Sequence, residues 1–225
     1  MPTVPQLSVP TIAISGSEQR FPVRRIYCVG RNYADHAREM GHDPRRELPF
    51  FFGKPADTVV GGGRVLPYPP RTTELHHEVE LVVALHQRGV NVGITDAASM
   101  IFGHAVGIDL TRRDLQAEAK KSGRPWDMAK GFDNSAPIGA LTLGIPPTSG
   151  AISLSIDGEV RQRGDLKDMI WSVAEIIATL STYVELAPGD LIFTGTPAGV
   201  GPIKRGESLR GMIAGIEPIE ITFEE

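Results

Sequence analysis

The chain has a single cysteine, Cys28, among 225 residues. One thiol excludes an internal disulfide and fits a reducing compartment. There is no excess of positive charge: 23 Lys and Arg face 27 Asp and Glu, a formal net charge of −4. A protein without a basic field has no electrostatic route to nucleic acid or to an anionic membrane surface. No apolar run approaches the roughly 20 residues that a membrane span needs. The first residues carry neither a basic n-region nor an apolar h-region, so the expected compartment is the cytoplasm. No internal repeat, low-complexity tract or linker divides the chain. Residues 23–225 are therefore expected to form one domain, with residues 1–22 as an N-terminal arm or edge strand.

What is abundant is turn chemistry, with Gly at 25 and Pro at 18. That favours many short strands over long helices. Hydrophobic content of 41% and charged content of 22% are ordinary for a globular protein, and the length suffices for one full core. The expected class is α+β and rich in β.

The chemistry starts at residues 75–85, Leu-His-His-Glu-Val-Glu-Leu-Val-Val-Ala-Leu. Residues 81–85 read as a buried strand. With a side-chain period of two, Glu78 and Glu80 point to one face. Two adjacent carboxylates repel, so either both are solvated or a hard divalent cation holds them. Residues 103–109 read as a second buried strand that ends on Asp109, a ligand or a cap for the helix that follows. That helix, residues 112–121, opens with Thr111 and Asp114 as a capping-box-like pair. Arg113 and Gln116 share a face of it.

Residues 23–29 read as a strand that ends at Gly30-Arg31-Asn32. Asn32 is expected to cap a short helix over 33–40, with Gly41 closing it. On that helix His36 and Glu39 share a face, as a general base with an orienting carboxylate or as a surface pair. Lys54, after three aromatics, faces an anionic substrate or water. Residues 95–102 read as a helix capped by Thr95, and residues 125–133 as a loop. Lys130 in that loop is an oxyanion stabiliser or a surface lysine. Asp157-Gly158 is a type I′ turn signal between two alternating strands, read as scaffold or as the rim of a dimer interface. Ser172 and Glu175 form a capping box that opens a helix to about residue 182. Residues 191–201 read as a strand that empties into a glycine-rich loop. Its Thr194 and Thr196 supply hydroxyls, and its glycines let backbone amides approach an anion. Two last strands are expected between residues 213 and 223.

The order and wording of these segments are more specific than any one of them. Gly30-Arg-Asn-Tyr-Ala-Asp-His36-Ala-Arg-Glu39, Phe52-Gly-Lys-Pro55, His77-Glu78-Val-Glu80, Gly107-Ile-Asp109, Arg112-Arg-Asp-Leu-Gln116, Lys130-Gly-Phe-Asp133, Pro188-Gly-Asp190 and Thr194-Gly-Thr-Pro-Ala-Gly-Val-Gly201 together resemble the fumarylacetoacetate hydrolase family. The wording of residues 112–126 is most similar to its fumarylpyruvate- and acylpyruvate-hydrolysing branch. The resemblance implies a mixed β-sheet roll with short helices, of that family's C-terminal-domain type. It implies a homodimer, and Mg²⁺ or Mn²⁺ (Ca²⁺ in a crystal) in the site. By the same resemblance, Glu78, Glu80 and Asp109 match the metal ligands, and His36 with Glu39 the catalytic dyad, carried on a lid. Lys130 and Gln116 match the groups around the reacting carbonyl, Arg113 and Thr196 substrate contacts, and Arg31 and the Gly195 backbone the carboxylate end. Gly53 and Gly131 stand where relatives carry other residues and bear on pocket shape.

The implied activity is hydrolysis of the C–C bond of a 2,4-dioxo acid, with fumarylpyruvate giving fumarate and pyruvate in aromatic catabolism. Decarboxylation of oxaloacetate and isomerisation or decarboxylation of a diketo acid compete on the same site. A non-catalytic metal-stabilised binding protein is the alternative of another class.

Overall fold

The computed structural model describes residues 3–39 and 47–225. Its frame is an eight-stranded mixed sheet. The strands run in the order Phe50–Lys54, Arg25–Gly30, Asp190–Phe193, Val79–Leu85, Ile101–Ile108, Ala136–Ile138 and Val59–Gly61, and Thr142–Leu143 also pairs with Ile101–Ile108. Every residue of Val79–Leu85 is buried. A strand covered on both faces reads as a continuous apolar run, which is why 81–85 showed no alternation.

The pleat divides that strand between two cores. Leu81, Val83 and Leu85 pack with Ile152, Leu154, Leu209 and Ile221 of a five-stranded sheet and with Ile176, Ile177 and Leu180 of the helix Val173–Tyr183. Val82 and Ala84 point the other way, onto Cys28, Phe193 and the N-terminal residues Ile12, Ile14, Phe21 and Val23. The segment expected as an arm or edge strand thus contributes Thr11–Ala13 and Arg20–Pro22, a two-stranded sheet whose apolar residues cover that face. Gly107 sits opposite Glu80 on the neighbouring strand. A Cβ there would lie 2.5 Å from Val82 and 2.8 Å from the Phe193 ring, so only glycine permits this approach.

The Asp157-Gly158 turn has both residues at positive φ, 49° and 86°, between Ala151–Ile156 and Glu159–Asp165. The Ser172–Glu175 capping box is formed in full. Strands Ser208–Ile213 and Ile219–Phe223 close the chain. Asp190 is structural: it is fully buried and receives Arg24, Arg25 and the Ala187 amide.

Several local expectations are corrected. The helix expected over 95–102 is a single 3₁₀ turn, Ala97–Met100, without a side-chain cap. Its last residues enter the strand Ile101–Ile108, because Ile101 and Phe102 pack as sheet residues. The loop expected over 125–133 holds a short helix, Asp127–Lys130. Asn32 does not cap the helix Ala34–Glu39. Its amide donates to the Trp171 and Thr194 carbonyls and accepts the Trp171 N–H, tying the helix entrance to two distant segments. Met40 and Gly41, expected to end that helix, lie outside the described residues. Thr111 and Asp114 do not form a capping pair. Asp114 accepts from Thr72, Thr73 and Leu115, while Thr111 turns toward Asp109 and Lys130.

Candidate active site

Glu78 and Glu80 flank Val79 where the central strand begins. Asp109 follows the adjacent strand, and its amide donates to the Glu78 carbonyl. The three carboxylates are buried, and one oxygen from each lies within 4.8 Å of those of the other two. Three cations compensate them. The Lys130 ammonium donates to Glu78 Oε2 at 2.9 Å, Asp109 Oδ2 at 2.6 Å and the Thr111 hydroxyl at 2.7 Å. Arg113 Nη2 donates to Glu78 Oε1. Lys54 Nζ lies 2.8 Å from Asp109 Oδ1. Both roles expected of Lys54, a substrate contact and a solvated lysine, are therefore corrected: it is buried beneath the site.

The three carboxyls differ sharply. Burial pushes Glu78 upward, but Lys130 and Arg113 outweigh it and hold the group well below the usual carboxylate range. Burial together with the charges of Asp109 and Glu78 pushes Glu80 well above it. The hydrogen bond that Glu80 accepts comes from the Gly195 amide, at 2.6 Å. Asp109 Oδ1 is buried and receives no hydrogen. The reason is stoichiometric: the three hydrogens of Lys54 go to the carbonyls of Leu110, Lys130 and Ser135, so its contact with Oδ1 is charge alone. A carboxylate that burial disfavours as an anion, beside a buried lone pair without a donor, is the environment that a hard cation satisfies.

His36 is buried at the same cleft, with Nδ1 3.4 Å from Glu39 Oε2. Burial lowers its pKa against the opposing charges of Glu78 and Glu39, so the ring is neutral near pH 7. With Nδ1 donating to Glu39, Nε2 carries the free lone pair. The Glu39 carboxylate also accepts the Gly199 N–H, at 3.1 and 3.2 Å, which seats the helix end on the glycine-rich loop. Gly199 is at φ +94°, and a Cβ there would lie 2.3 Å from the Arg161 carbonyl oxygen.

Gln116 accepts from Arg113 Nη1 at 2.6 Å through Oε1, which leaves its NH₂ free to donate. Arg113 also donates to His76, so three of its five donors orient protein groups. Thr196 donates to the Val79 carbonyl and accepts from Gln162. The Gly195 amide is committed to Glu80. Arg31 lines the cleft with Phe50, Phe52, Lys120 and Trp126.

The comparisons fit this geometry. Residues 25–224 match the model of the fumarylacetoacetate (FAA) hydrolase C-terminal family. The chain belongs to the fumarylacetoacetate hydrolase family. It is 42% identical over 182 residues to a fumarylpyruvate hydrolase of Ralstonia sp., covering 80% of this chain and 95% of that one. It is also 42% identical over 196 residues to the mitochondrial oxaloacetate tautomerase FAHD1 of Mus musculus, covering 86% and 88%. The crystal structure of fumarylpyruvate hydrolase from Pseudomonas aeruginosa in complex with Mn²⁺ and pyruvate superposes with a TM-score of 0.95 at 50% identity, over 99% of each chain.

In this fumarylacetoacetate hydrolase family member the buried triad Glu78, Glu80 and Asp109 could hold a metal, and a similar protein is seen with Mn²⁺. The sequence alone did not show the roles of three contributors. Lys54 was legible in part, since Phe50–Lys54 is an apolar strand with a lysine at its end. Gln162, between Arg161 and Arg163 on a polar hairpin strand, gave no signal. It is fully buried, accepts from Val79 N and bonds His77 Nδ1 through Oε1, and donates to Thr196 and the Pro197 carbonyl. Lys120 had a signal that went unused: it continues the helix face of Arg113 and Gln116 at spacing i, i+3, i+7.

Proposed function

We propose that the chain hydrolyses the C–C bond of a 2,4-dioxo acid with a divalent metal, and that fumarylpyruvate, giving fumarate and pyruvate, is the substrate the site supports best. The observation that carries this reading is the His36–Glu39 hydrogen bond, with the His36 ring lining the same cleft as Glu78 and Glu80. Likeness to proteins named fumarylpyruvate hydrolase supports the choice of substrate.

In this reading Glu78, Glu80 and Asp109 hold the ion. When bound, it supplies positive charge for the carboxylate and keto oxygens of the pyruvate end and for the charge that develops there. His36 Nε2 takes a proton from water, oriented through Nδ1 by Glu39. The water oxygen bonds to the distal C4 carbonyl carbon. The Gln116 NH₂, a free donor on this face, hydrogen-bonds the carbonyl oxygen as it becomes negative. Lys130, whose three hydrogens are already committed, acts mainly as the buried counter-charge of the triad. The C3–C4 bond then breaks, its electron pair goes to C3 of the pyruvate fragment, and the proton on His36 returns there.

The working unit is read as a cytoplasmic homodimer that takes a small diketo acid and no nucleic acid or membrane partner. No helix among the described residues is long and apolar enough to cross a membrane.

Relatives named oxaloacetate tautomerase favour a second reading. Moving a proton between C3 and the keto oxygen of oxaloacetate needs a neutral base but no attacking water, and His36 can supply the base. The test is the ultraviolet absorbance of fumarylpyruvate with purified protein, with Mn²⁺ and with chelator. Metal-dependent loss with fumarate and pyruvate formed supports hydrolysis. No loss, with the enol and keto forms of oxaloacetate interconverted faster than without protein under the same conditions, moves the assignment to the second reading.

A further inference from the structure

Three cations lie on one aromatic cluster that runs from the buried triad to the exposed end of the cleft. The Phe50 and Trp126 rings meet edge to face at 5.5 Å, and Phe52 and Trp126 at 5.8 Å. Lys130 Nζ lies 4.9 Å from the centre of the Phe52 ring, Arg31 Cζ 5.3 Å from that of Phe50, and Lys120 Nζ 5.1 Å from that of Trp126. Lys130 is neutralised by Glu78 and Asp109. Among the described residues Arg31 and Lys120 have no carboxylate partner, although both line the same cleft as the triad.

The charge balance makes this informative. The triad is matched by Lys54, Lys130 and Arg113. Glu39 is a further carboxylate at the site. Even against it, a divalent ion, Arg31 and Lys120 leave positive charge in excess among the described residues, which suits a ligand with more than one negative charge. The placement is built by the chain. Arg113, Gln116 and Lys120 occupy one face of the helix Arg113–Lys121, and Arg31 is held at φ 60° between Gly30 and the anchored Asn32. A Cβ on Gly30 would fall 2.0 Å from the Phe50 ring, so the glycine lets that ring lie against the strand end. Aromatic faces hold the cations in place while leaving their N–H groups free. A flat unsaturated chain has room to lie along such rings.

We propose that Lys120, together with Arg31 and the Phe50–Trp126 wall, is a subsite for the terminal carboxylate of the acyl group, so that the protein selects dicarboxylic 2,4-dioxo acids over those with a neutral acyl end. This deepens the diketo-acid reading and rests on it. Lys121, the next residue, is exposed and off that helix face, which makes it the control for general surface charge.

The experiment compares kcat/KM for fumarylpyruvate and acetylpyruvate in the Mn²⁺-loaded protein, its Lys120→Met variant and its Lys121→Met variant. Methionine keeps the apolar stem against Trp126 and removes the charge. The wild type should prefer the dicarboxylic acid. In Lys120→Met the preference should fall about tenfold, through KM, as expected for one partly solvated charge-assisted contact. Lys120→Arg should restore it, and Lys121→Met should keep it. An unchanged preference in Lys120→Met, or an equal fall in Lys121→Met, overturns the subsite. If the wild type hydrolyses neither acid, the hydrolase reading fails separately, and calorimetric binding of the two acids decides the subsite. Tighter binding of the dicarboxylic acid that Lys120→Met removes supports it, and equal binding overturns it.

Discussion

At the buried end of the cleft Lys54, Lys130 and Arg113 each face a carboxylate of the triad. At the exposed end Arg31 and Lys120 lie on aromatic rings with no carboxylate partner among the described residues. Residues of the same charge therefore do different work. A cation locked onto buried acids holds Glu78 ionised and ties strands together. A cation resting on a ring keeps its donors for something that arrives. The contrast recurs between Glu78 and Glu80, two residues apart on one strand face. Two cations hold Glu78 low, whereas burial and its acidic neighbours push Glu80 up against the Gly195 amide and the Lys130 charge.

The largest expected effect breaks the buried end. Lys54→Met leaves Asp109 and the carbonyls of Leu110, Lys130 and Ser135 without their cation, and should lower the unfolding free energy by roughly 3–5 kcal/mol. Chemical denaturation read by fluorescence checks this. Lys120→Met, the matched change at the exposed end, should stay within about 0.5 kcal/mol in the same assay. Equal losses at both ends would dissolve the distinction.

His36→Ala should lower kcat by about 10²- to 10⁴-fold while sparing the metal. Mn²⁺ at 100 times its Kd should still raise the stability of that variant by about 2.7 kcal/mol. Loss of the Mn²⁺ effect together with activity would show that the two functions of the site are not separable. The pH profile is a finer probe. Burial lowers the pKa of His36 from 6.5 despite Glu78 and Glu39. A base must be unprotonated, so kcat/KM should be flat near pH 7 and fall on acidification through a midpoint below 6.5. A nearby divalent ion would push the midpoint further down. A limb centred well above 6.5 would remove His36 from the role.

Local spacing suggested the pairs in this site, and the family resemblance joined them into one. The two-residue period put Glu78 and Glu80 together, and the three-residue helical step paired His36 with Glu39. Asp109 was found because an acid after a buried strand stands out. The fold class followed from the density of Gly, Pro and β-branched runs. What stayed hidden depends on partners distant in the chain. Lys54 meets Asp109 across 55 residues, and Gln162 reaches Thr196 from between two arginines, Arg161 and Arg163. Asn32 was misread for the same reason: its local chemistry suits a helix cap, and the contacts that win are with Trp171 and Thr194.

Hydrolysis is the central claim, and the origin of one oxygen atom tests it most directly. Fumarylpyruvate is turned over once in water enriched in ¹⁸O with Mn²⁺ present, and the released acid is weighed by mass spectrometry. The account predicts fumarate carrying a solvent oxygen in its new carboxylate, together with pyruvate, and none of either when the metal is chelated. Consumption of the dioxo acid without a labelled acid product would contradict it.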